Sequence, residues 1–130
     1  KAFVATGSPF DQCLHNEQII RVGQCNNVFA FPGIGAGMIA ARATHLSDNM
    51  LVAAAEAIRD YIIQQGYSHF TIMPHISELS QVTEHVAQAV SEQAVFDKLT
   101  SKSFKEVNQN LTDSFWEPEY MPYYYIDANK

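Results

Sequence analysis

Cysteine is scarce in this sequence. Cys13 and Cys25 are the two thiols in 130 residues, which is too few for the disulfide framework of a small secreted domain, and they do not form a C-x-x-C pair. We therefore predict a cytoplasmic protein with both thiols reduced. Because Cys25 has no histidine or acidic residue beside it, we interpret it as a small buried hydrophobic residue and not as a catalytic nucleophile.

Positive charge is also scarce. The chain has 8 Lys and Arg residues against 14 Asp and Glu residues, and its formal net charge is −6. Nucleic-acid binding depends on cations that neutralise phosphates, and the few cations here are scattered along the chain, so we predict no nucleic-acid partner. With 47% hydrophobic and 17% charged residues, the chain has enough apolar material for a core, which argues against disorder.

No apolar run is long enough to cross a membrane. The uncharged stretch 22–41 is interrupted by three carboxamides and by Pro32, and its continuous apolar part is shorter than the about 20 residues that a spanning helix needs. We predict no membrane association, and we expect this stretch to be buried on all sides in a soluble core.

Helices dominate the predicted secondary structure. The small residues of 35–44 indicate a tightly packed helix, and apolar stripes at three- and four-residue spacings predict amphipathic helices over 47–65 and 79–99. Ser47 or Asp48 is a suitable N-cap for the second helix, and Gly66 follows it at the position of a left-handed C-terminal residue. A last helix is predicted over 103–115, where Ser103 and Glu106 have the spacing of a capping box.

Strands are few in comparison. We predict a buried strand over 2–6, a loop over 10–18 and a short edge strand over 19–22. These strands cannot form a stable sheet by themselves, so we expect 2–6 to join strands that precede residue 1, in a longer protein. The tail from Trp116 contains four of the six tyrosines, and we predict that it is extended and laid on a surface.

Several motif-like segments are weak when they are taken alone. The run Gly33-Ile34-Gly35-Ala36-Gly37 departs from the dinucleotide fingerprint because residue 38 is Met, so we interpret these glycines as close helix packing. The turn Thr6-Gly7-Ser8-Pro9 lacks the G-x-S-x-G pattern of a serine nucleophile. The five histidines have neither H-x-x-x-H nor H-E-x-x-H spacing, so we predict no metal site.

The pair Asn26-Asn27 allows two interpretations. Asparagines favour turns, in which their side chains bond to the backbone. Neutral carboxamide donors beside an uncharged run also suit a carboxylate or hydroxyl ligand, and a buried amide must find a partner. From spacing alone, the turn is favoured.

Four segments together resemble the malic enzymes. They are Ala5-Thr6-Gly7-Ser8-Pro9-Phe10, the glycine- and asparagine-rich segment 23–35, Ser47-Asp48-Asn49-Met50, and Phe115-Trp116-Glu117-Pro118-Glu119-Tyr120. Their order and spacing are similar to the carboxyl-terminal part of the large bacterial NAD-dependent malic enzymes, over essentially the whole chain. The resemblance implies an α/β fold, the C-terminal part of a Rossmann-like NAD-binding domain, mostly helical with few strands. Residues 1–76 would belong to that domain, and 77–130 would be its C-terminal helical extension and tail.

The resemblance also implies a function. Malic enzymes oxidatively decarboxylate L-malate to pyruvate and CO2 with NAD or NADP and Mg2+ or Mn2+, and the full-length enzyme would be a homo-oligomer. By resemblance, Asn26 and Asn27 contact the substrate, and Thr6, Gly7 and Ser8 flank the nicotinamide side of the pocket. The family's tyrosine acid, lysine base, metal ligands and phosphate-binding glycine motif have no counterpart here. We therefore expect no catalytic residue, no metal and no bound cofactor on this chain alone, and no activity.

Two alternatives stay open at this point. Malolactic enzyme, which converts malate to lactate while holding its NAD, shares much of the pattern, although Cys25 and the segment 115–120 favour malic enzyme. A non-catalytic helical interaction module is the second alternative, with the low charge and the aromatic tail serving a partner surface.

Overall fold

The computed structural model describes residues 3–67, 71–115 and 120–124 of the chain. Four short strands precede four helices in this part. The strands are β1 (Ala5–Thr6), β2 (Cys13–His15), β3 (Gln18–Ile20) and β4 (Gly23–Gln24), and the helices are α1 (Phe31–Ala41), α2 (Asp48–Gln64), α3 (Leu79–Phe96) and α4 (Phe104–Ser114). Short 3-10 helices at Asn27–Phe29 and Ile76–Glu78 precede α1 and α3.

Strands β1 and β4 form a two-stranded parallel sheet. Ala5 is paired with Gly23 and Thr6 with Gln24, and the Gly23 N–H donates to the Val4 carbonyl at 3.0 Å. The strand predicted over 2–6 is thus shorter than expected, and Phe3 and Val4 before it are 46% and 48% exposed instead of buried. The rest of that prediction, Ala2, lies outside the described residues.

The segment between these parallel strands is an antiparallel hairpin of β2 and β3. The loop predicted over 10–18 is therefore wrong, and the edge strand predicted over 19–22 begins earlier and ends at Ile20. Asn16 and Glu17 form the turn with φ of 48° and 62°, the left-handed pair whose twist matches that of the flanking strands. Asparagine adopts this conformation readily, whereas glutamate rarely does. Only one of the two turn residues therefore indicated a hairpin turn in the sequence.

Helix α1 begins at Phe31, whereas the sequence predicted a helix from residue 35. Pro32 lies in the first turn of the helix, where its missing N–H has no intrahelical partner to lose. The proline that we interpreted as a break therefore starts the helix. The helix ends at Ala41, before the predicted end at residue 44, because its C-cap Arg42 has a left-handed φ of 51°.

Helix α3 begins at the predicted Leu79 and ends at Phe96, before the predicted end at residue 99, since Lys98 has a left-handed φ of 58°. Helices α2 and α4 follow their local signals. Ser47 caps α2, its hydroxyl oxygen accepting from the Met50 N–H at 3.2 Å, and Gly66 has the expected positive φ of 72°. Ser103 and Glu106 form the predicted capping box of α4. These two helices confirm the predicted spans to within a residue or so at each end.

The core lies where α3 packs against α1, α2 and α4. Its fully buried apolar side chains include Phe29, Met50, Val82, Val86, Val90 and Val107. Gly33 and Gly37 of α1 allow the close approach to α3, since a Cβ atom on Gly37 would lie 2.6 Å from the Ala87 carbonyl oxygen. The core thus holds α1 in place, and with it the Asn27–Phe29 turn. The division of the chain into a domain part (1–76) and a helical extension (77–130) stays a prediction.

The described part of the tail is not laid on a surface. Tyr120, Tyr123 and Tyr124 are 100%, 98% and 81% exposed, so that prediction is wrong for these residues. Residues 116–119 and 125–130 lie outside the described part of the chain.

Candidate functional site

The carboxyl ends of β1 and β4 meet at one edge of the parallel sheet. The Cys25 N–H donates to the Thr6 carbonyl at 2.8 Å, so the chain leaves both strands side by side. Ligands of open α/β sheets gather at this end of the strands. The sheet thereby brings together both predicted site segments, Thr6-Gly7-Ser8 and Asn26-Asn27, and we call these five residues the carboxyl edge.

The turn after β1 is closed by its own threonine. The Thr6 hydroxyl donates to the Ser8 carbonyl at 2.8 Å. Gly7 and Ser8 are exposed, and a Cβ atom on Gly7 would meet no atom within 4 Å. This turn therefore leaves room beside the strand end.

Asn26 has the capping role that the turn interpretation predicts. Its Oδ1 accepts from the Val28 N–H at 3.0 Å, and its backbone is extended, with φ −125° and ψ 138°, as at an N-cap. This bond fixes the carboxamide plane through its oxygen. The Nδ2 group of Asn26 has no hydrogen-bond partner among the residues described, and it stays available as a donor.

Asn27 is the first residue of the 3-10 helix and is exposed. Its Nδ2 also lacks a protein partner within 3–67, 71–115 and 120–124. Phe29, two residues on, is fully buried and anchors this turn in the core. Two neighbouring carboxamides can therefore donate N–H groups at a rigidly held position.

Cys25 is exposed and free, so the prediction of a buried thiol is wrong. The tight packing at β4 falls on Gly23 instead, where a Cβ atom would lie 2.9 Å from Thr71 Oγ1. Burial passes from Gly23 through the partly buried Gln24 to the exposed Cys25 as the chain leaves the sheet. No charged residue occurs between 22 and 41, so Asn26 and Asn27 present neutral groups at the carboxyl edge.

A cavity of about 610 Å3 lies beside β4, lined by Phe10, Arg21, Gly23, Tyr67 and Glu78 among others. Its carboxylate is already occupied: Glu78 Oε1 accepts from the hydroxyls of Tyr61 and Tyr67, each at 3.2 Å, and Oε2 accepts from the His75 N–H at 3.0 Å. We noticed no sequence pattern that links these residues.

The tyrosines of this cluster are poor candidates for acid catalysis. Burial raises the pKa of Tyr61 to about 12, and the Glu78 charge adds to the effect. The pKa of Tyr67 is also raised, chiefly by the charge of Glu78. A hydroxyl held against a carboxylate gives up its proton less readily. These hydrogen bonds instead join Tyr67 and Glu78 to Tyr61 of α2.

The described residues contain no group of three or more His, Cys, Asp and Glu side chains that could hold a metal ion. The residues described therefore do not fit the Mg2+ or Mn2+ that the resemblance implies for the full-length enzyme. A search of the helices in the described residues finds none long and apolar enough to span a membrane.

The chain is similar to known proteins over nearly its whole length. Residues 1–95 match the family described as malic enzyme, NAD binding domain. The NAD-dependent malic enzymes of Psychromonas ingrahamii and Psychrobacter cryohalolentis are each 44% identical over 124 residues, which cover 95% of this chain and 22% of the relative. The crystal structure of Entamoeba histolytica malic enzyme is similar with a TM-score of 0.64 and 25% identity, over 85% of this chain and 22% of that chain. The chain thus spans about a fifth of the length of these relatives.

Proposed function

The chain belongs to the malic enzyme family, within the NAD-binding domain that residues 1–95 match, and from this we propose that it forms part of an enzyme that oxidises and decarboxylates L-malate. The reaction converts L-malate and NAD+ into pyruvate, CO2 and NADH. The family match confirms the predicted resemblance and the fold class, a Rossmann-like NAD-binding domain that is mostly helical in the described residues.

The observation that carries the proposal is the pair of free carboxamide donors at the carboxyl edge. Malate presents two carboxylates and a hydroxyl, all of which accept hydrogen bonds. Asn26 and Asn27 would each donate an Nδ2–H group to the substrate, and hydrogen bonds of this kind to a charged group are worth about 1.5–3 kcal/mol. The pair adds no charge of its own, so it would orient the substrate through hydrogen bonds alone.

The turn Thr6-Gly7-Ser8 would border the nicotinamide side of the same pocket. Because this turn lies beside the asparagines, a nicotinamide ring on it would lie next to the hydroxyl carbon of malate. NAD would supply the hydride-accepting ring, and these residues would form the edge against which the ring lies. NADP is the alternative cofactor.

The remaining machinery would come from the part of the enzyme outside this chain. The proton-transferring residues, the Mg2+ or Mn2+ ligands and the phosphate-binding motif would all be supplied there. We propose that the complete enzyme is a cytoplasmic homo-oligomer, and that the 130-residue chain by itself is inactive.

A chimaera tests this function. In the Psychromonas ingrahamii malic enzyme, the aligned 124-residue segment is replaced by this chain, and malate-dependent NADH formation is measured. Asn27→Ala should lower kcat/KM by on the order of tenfold to a thousandfold. The variant loses a charge-assisted hydrogen bond that, in the parent enzyme, strengthens in the transition state. Asn108→Ala, at an exposed asparagine of α4, is the matched control and should leave the kinetics unchanged. Unchanged kinetics in Asn27→Ala and in Asn26→Ala would return the pair to a turn role.

The same assay distinguishes the runner-up. A malolactic enzyme would release lactate without net NADH, whereas a malic enzyme releases pyruvate and NADH in equal amounts. A chimaera that folds but is inactive on malate with either cofactor would argue for a non-catalytic module, against which the NAD-binding-domain match already weighs.

A further inference from the structure

Helix α1 has one apolar side that the described residues leave uncovered. Phe31, Gly35 and Ile39 recur every four residues, and such residues lie on one side of a helix. Phe31 is 63% exposed and Ile39 is 75% exposed. Pro32 is exposed beside them, and we call these four residues the α1 outer face. The sequence predicted burial on all sides, and burial is found on one side only.

The opposite side of α1 is filled by its own neighbours. Gly33 and Gly37 approach α3, and Ala40 packs against Leu111 of α4. The helix therefore has an inner side, already used by the core, and an outer face with no partner in the described part of the chain. Apolar surface of this kind, without charge, marks an interaction site.

Helix α2 shows what a solvated helix face of this protein looks like. Its Arg59 side chain bridges Asp60 at 2.8 Å and Glu56 at 3.4 Å, and all three side chains are largely in contact with water. Val52 is 56% exposed, and the exposed charged residues Asp48 and Glu56 lie one turn before and one turn after it on the same helix. The α1 outer face has no charged member at all, and no charged residue occurs between 22 and 41.

The two-stranded sheet that precedes α1 in the chain needs further partners too. Within the residues described, β1 and β4 are paired only with each other, and a parallel sheet of two strands is not stable alone. Parallel sheets are normally covered on both faces by the same polypeptide. The simplest arrangement is that one body of polypeptide covers both the sheet and the α1 outer face.

The length of the related malic enzymes indicates how large that body would be. The chain covers 22% of the malic enzymes that it matches, so most of such an enzyme lies outside it. The α1 outer face begins four residues after Asn27, so it follows the carboxyl edge directly in the chain. A covering polypeptide would therefore reach the substrate position and the helix together.

We propose that the α1 outer face is an internal interface of the enzyme, covered by the part of the malic enzyme polypeptide that lies outside this chain. This inference rests on the proposed function. It gives α1 two roles, with the inner side fixed on α3 and the outer face holding the substrate-binding asparagines against the rest of the catalytic unit.

Thiol labelling tests the interface. Ile39→Cys and the control Val52→Cys are made in a Cys13→Ser, Cys25→Ser background, in the 130-residue chain and in the chimaera described above. Labelling of Ile39→Cys with a maleimide should be on the order of tenfold or more slower in the chimaera, because the reagent reaches a covered thiol only through local opening. The labelling rates of Val52→Cys in the isolated chain and in the chimaera should differ by no more than about twofold, since a thiol that is exposed in both keeps its reactivity.

Gly35→Cys provides a second thiol on the same face. A Cβ atom there meets no atom within 4 Å, so the substitution cannot disturb the described core, and it keeps the test valid if Ile39→Cys fails to fold. Equal labelling of both face thiols in the chain and in the chimaera would overturn the inference.

Two further outcomes separate the alternatives. The isolated chain is labelled at a concentration at which light scattering shows a monomer, because its uncovered face is itself expected to associate. Protection in the chimaera that is lost on dilution would mean that a second copy covers the face, which overturns the choice of partner. NADH formation by the chimaera is scored independently. An active chimaera with unprotected thiols refutes the interface alone, whereas protected thiols in an inactive chimaera refute the proposed function and support the interface.

Discussion

Gly33 and Val86 pack so closely that a Cβ atom on Gly33 would lie 2.6 Å from the Val86 Cβ and 2.8 Å from the Thr83 carbonyl oxygen. The second atom belongs to the backbone of α3, which cannot rotate away as a side chain can. The two helices therefore touch through a glycine that no other residue can replace without a shift of α1. Because α1 follows the Asn27–Phe29 turn directly, such a shift would also move the carboxamides.

The first prediction uses a matched pair of glycines on α1. Gly33→Ala should destabilise the chain by about 1–3 kcal/mol, the usual cost of overpacking. Gly35→Ala, where an added Cβ meets nothing within 4 Å, should be neutral or stabilise the helix by about 0.5–1 kcal/mol. Urea unfolding followed by far-ultraviolet circular dichroism measures both, and equal stability of the two variants would contradict the close contact.

The second prediction separates the two roles of Asn26. Asp is as good an N-cap as Asn, so Asn26→Asp keeps the bond from the Val28 N–H and should change stability by less than about 0.5 kcal/mol. It removes the Nδ2 donor and adds a negative charge next to an anionic substrate. In the chimaera, kcat/KM for malate should therefore fall at least as far as in Asn27→Ala. Full activity of a folded Asn26→Asp enzyme would exclude the donor role.

The third prediction concerns acid stability. The pKa of Glu106 is lowered from 4.5 to about 2, chiefly because the Ser103 N–H donates to its Oε2 at 2.9 Å; Lys102 and the Ser103 hydroxyl contribute further. A carboxyl group with a lower pKa in the folded state stabilises the protein above its unfolded pKa. This contribution is fully present above a pH of about 5 and is lost as the pH falls towards 2.

The measurement compares urea midpoints at pH 6 and pH 3 in the chain and in Glu106→Gln. The variant should lose less stability between the two pH values than the parent chain does. Glu84→Gln, at an exposed position of α3, is the control and should follow the parent. An identical pH dependence in Glu106→Gln and the parent would show that the capping box does not contribute.

The fourth prediction concerns the isolated 130-residue chain. Its uncovered α1 outer face and the free sheet edges beside it should make it self-associate in light scattering, and Ile39→Asp should reduce this association, because it places a charge on the apolar face. Val52→Asp should not. In calorimetric titrations, the chain should bind neither malate nor NAD measurably. A monomer at high concentration would contradict the predicted self-association, and saturable NAD binding would contradict the predicted lack of ligand binding.

Local signals in the sequence predicted the elements that are determined locally. Ser47 and Ser103 each bond to an amide three residues on, and the helices that they start were therefore visible in the sequence. Pro32 was not interpreted correctly, because a proline breaks the interior of a helix but fits its first turn. The packing of Gly33 on Val86 decides that α1 starts at this proline. The hairpin turn was missed because Glu17 adopts a left-handed conformation that its residue type disfavours.

Burial was the less predictable quantity. The exposure of Cys25 and of Ile39 depends on which surfaces α3 and the sheet cover, and those contacts are distant in the sequence. The candidate site was found through the resemblance of its segments, whereas residue spacing alone favoured a turn at Asn26. The structure adds that both roles are compatible, since the turn uses Oδ1 and leaves Nδ2 available.

The hairpin between β1 and β4 has a consequence for manipulating this protein. All its residues from 13 to 20 are exposed, and none of them belongs to the core. Parallel strands require only that their connection be long enough to return, not that it have a given sequence. The Asn16-Glu17 turn is therefore a place where additional residues can be accommodated, since exposed loop tips tolerate insertion. An affinity tag or a fluorescent label could be inserted there to isolate or detect the chain without displacing the two segments of the carboxyl edge, Thr6-Gly7-Ser8 and Asn26-Asn27.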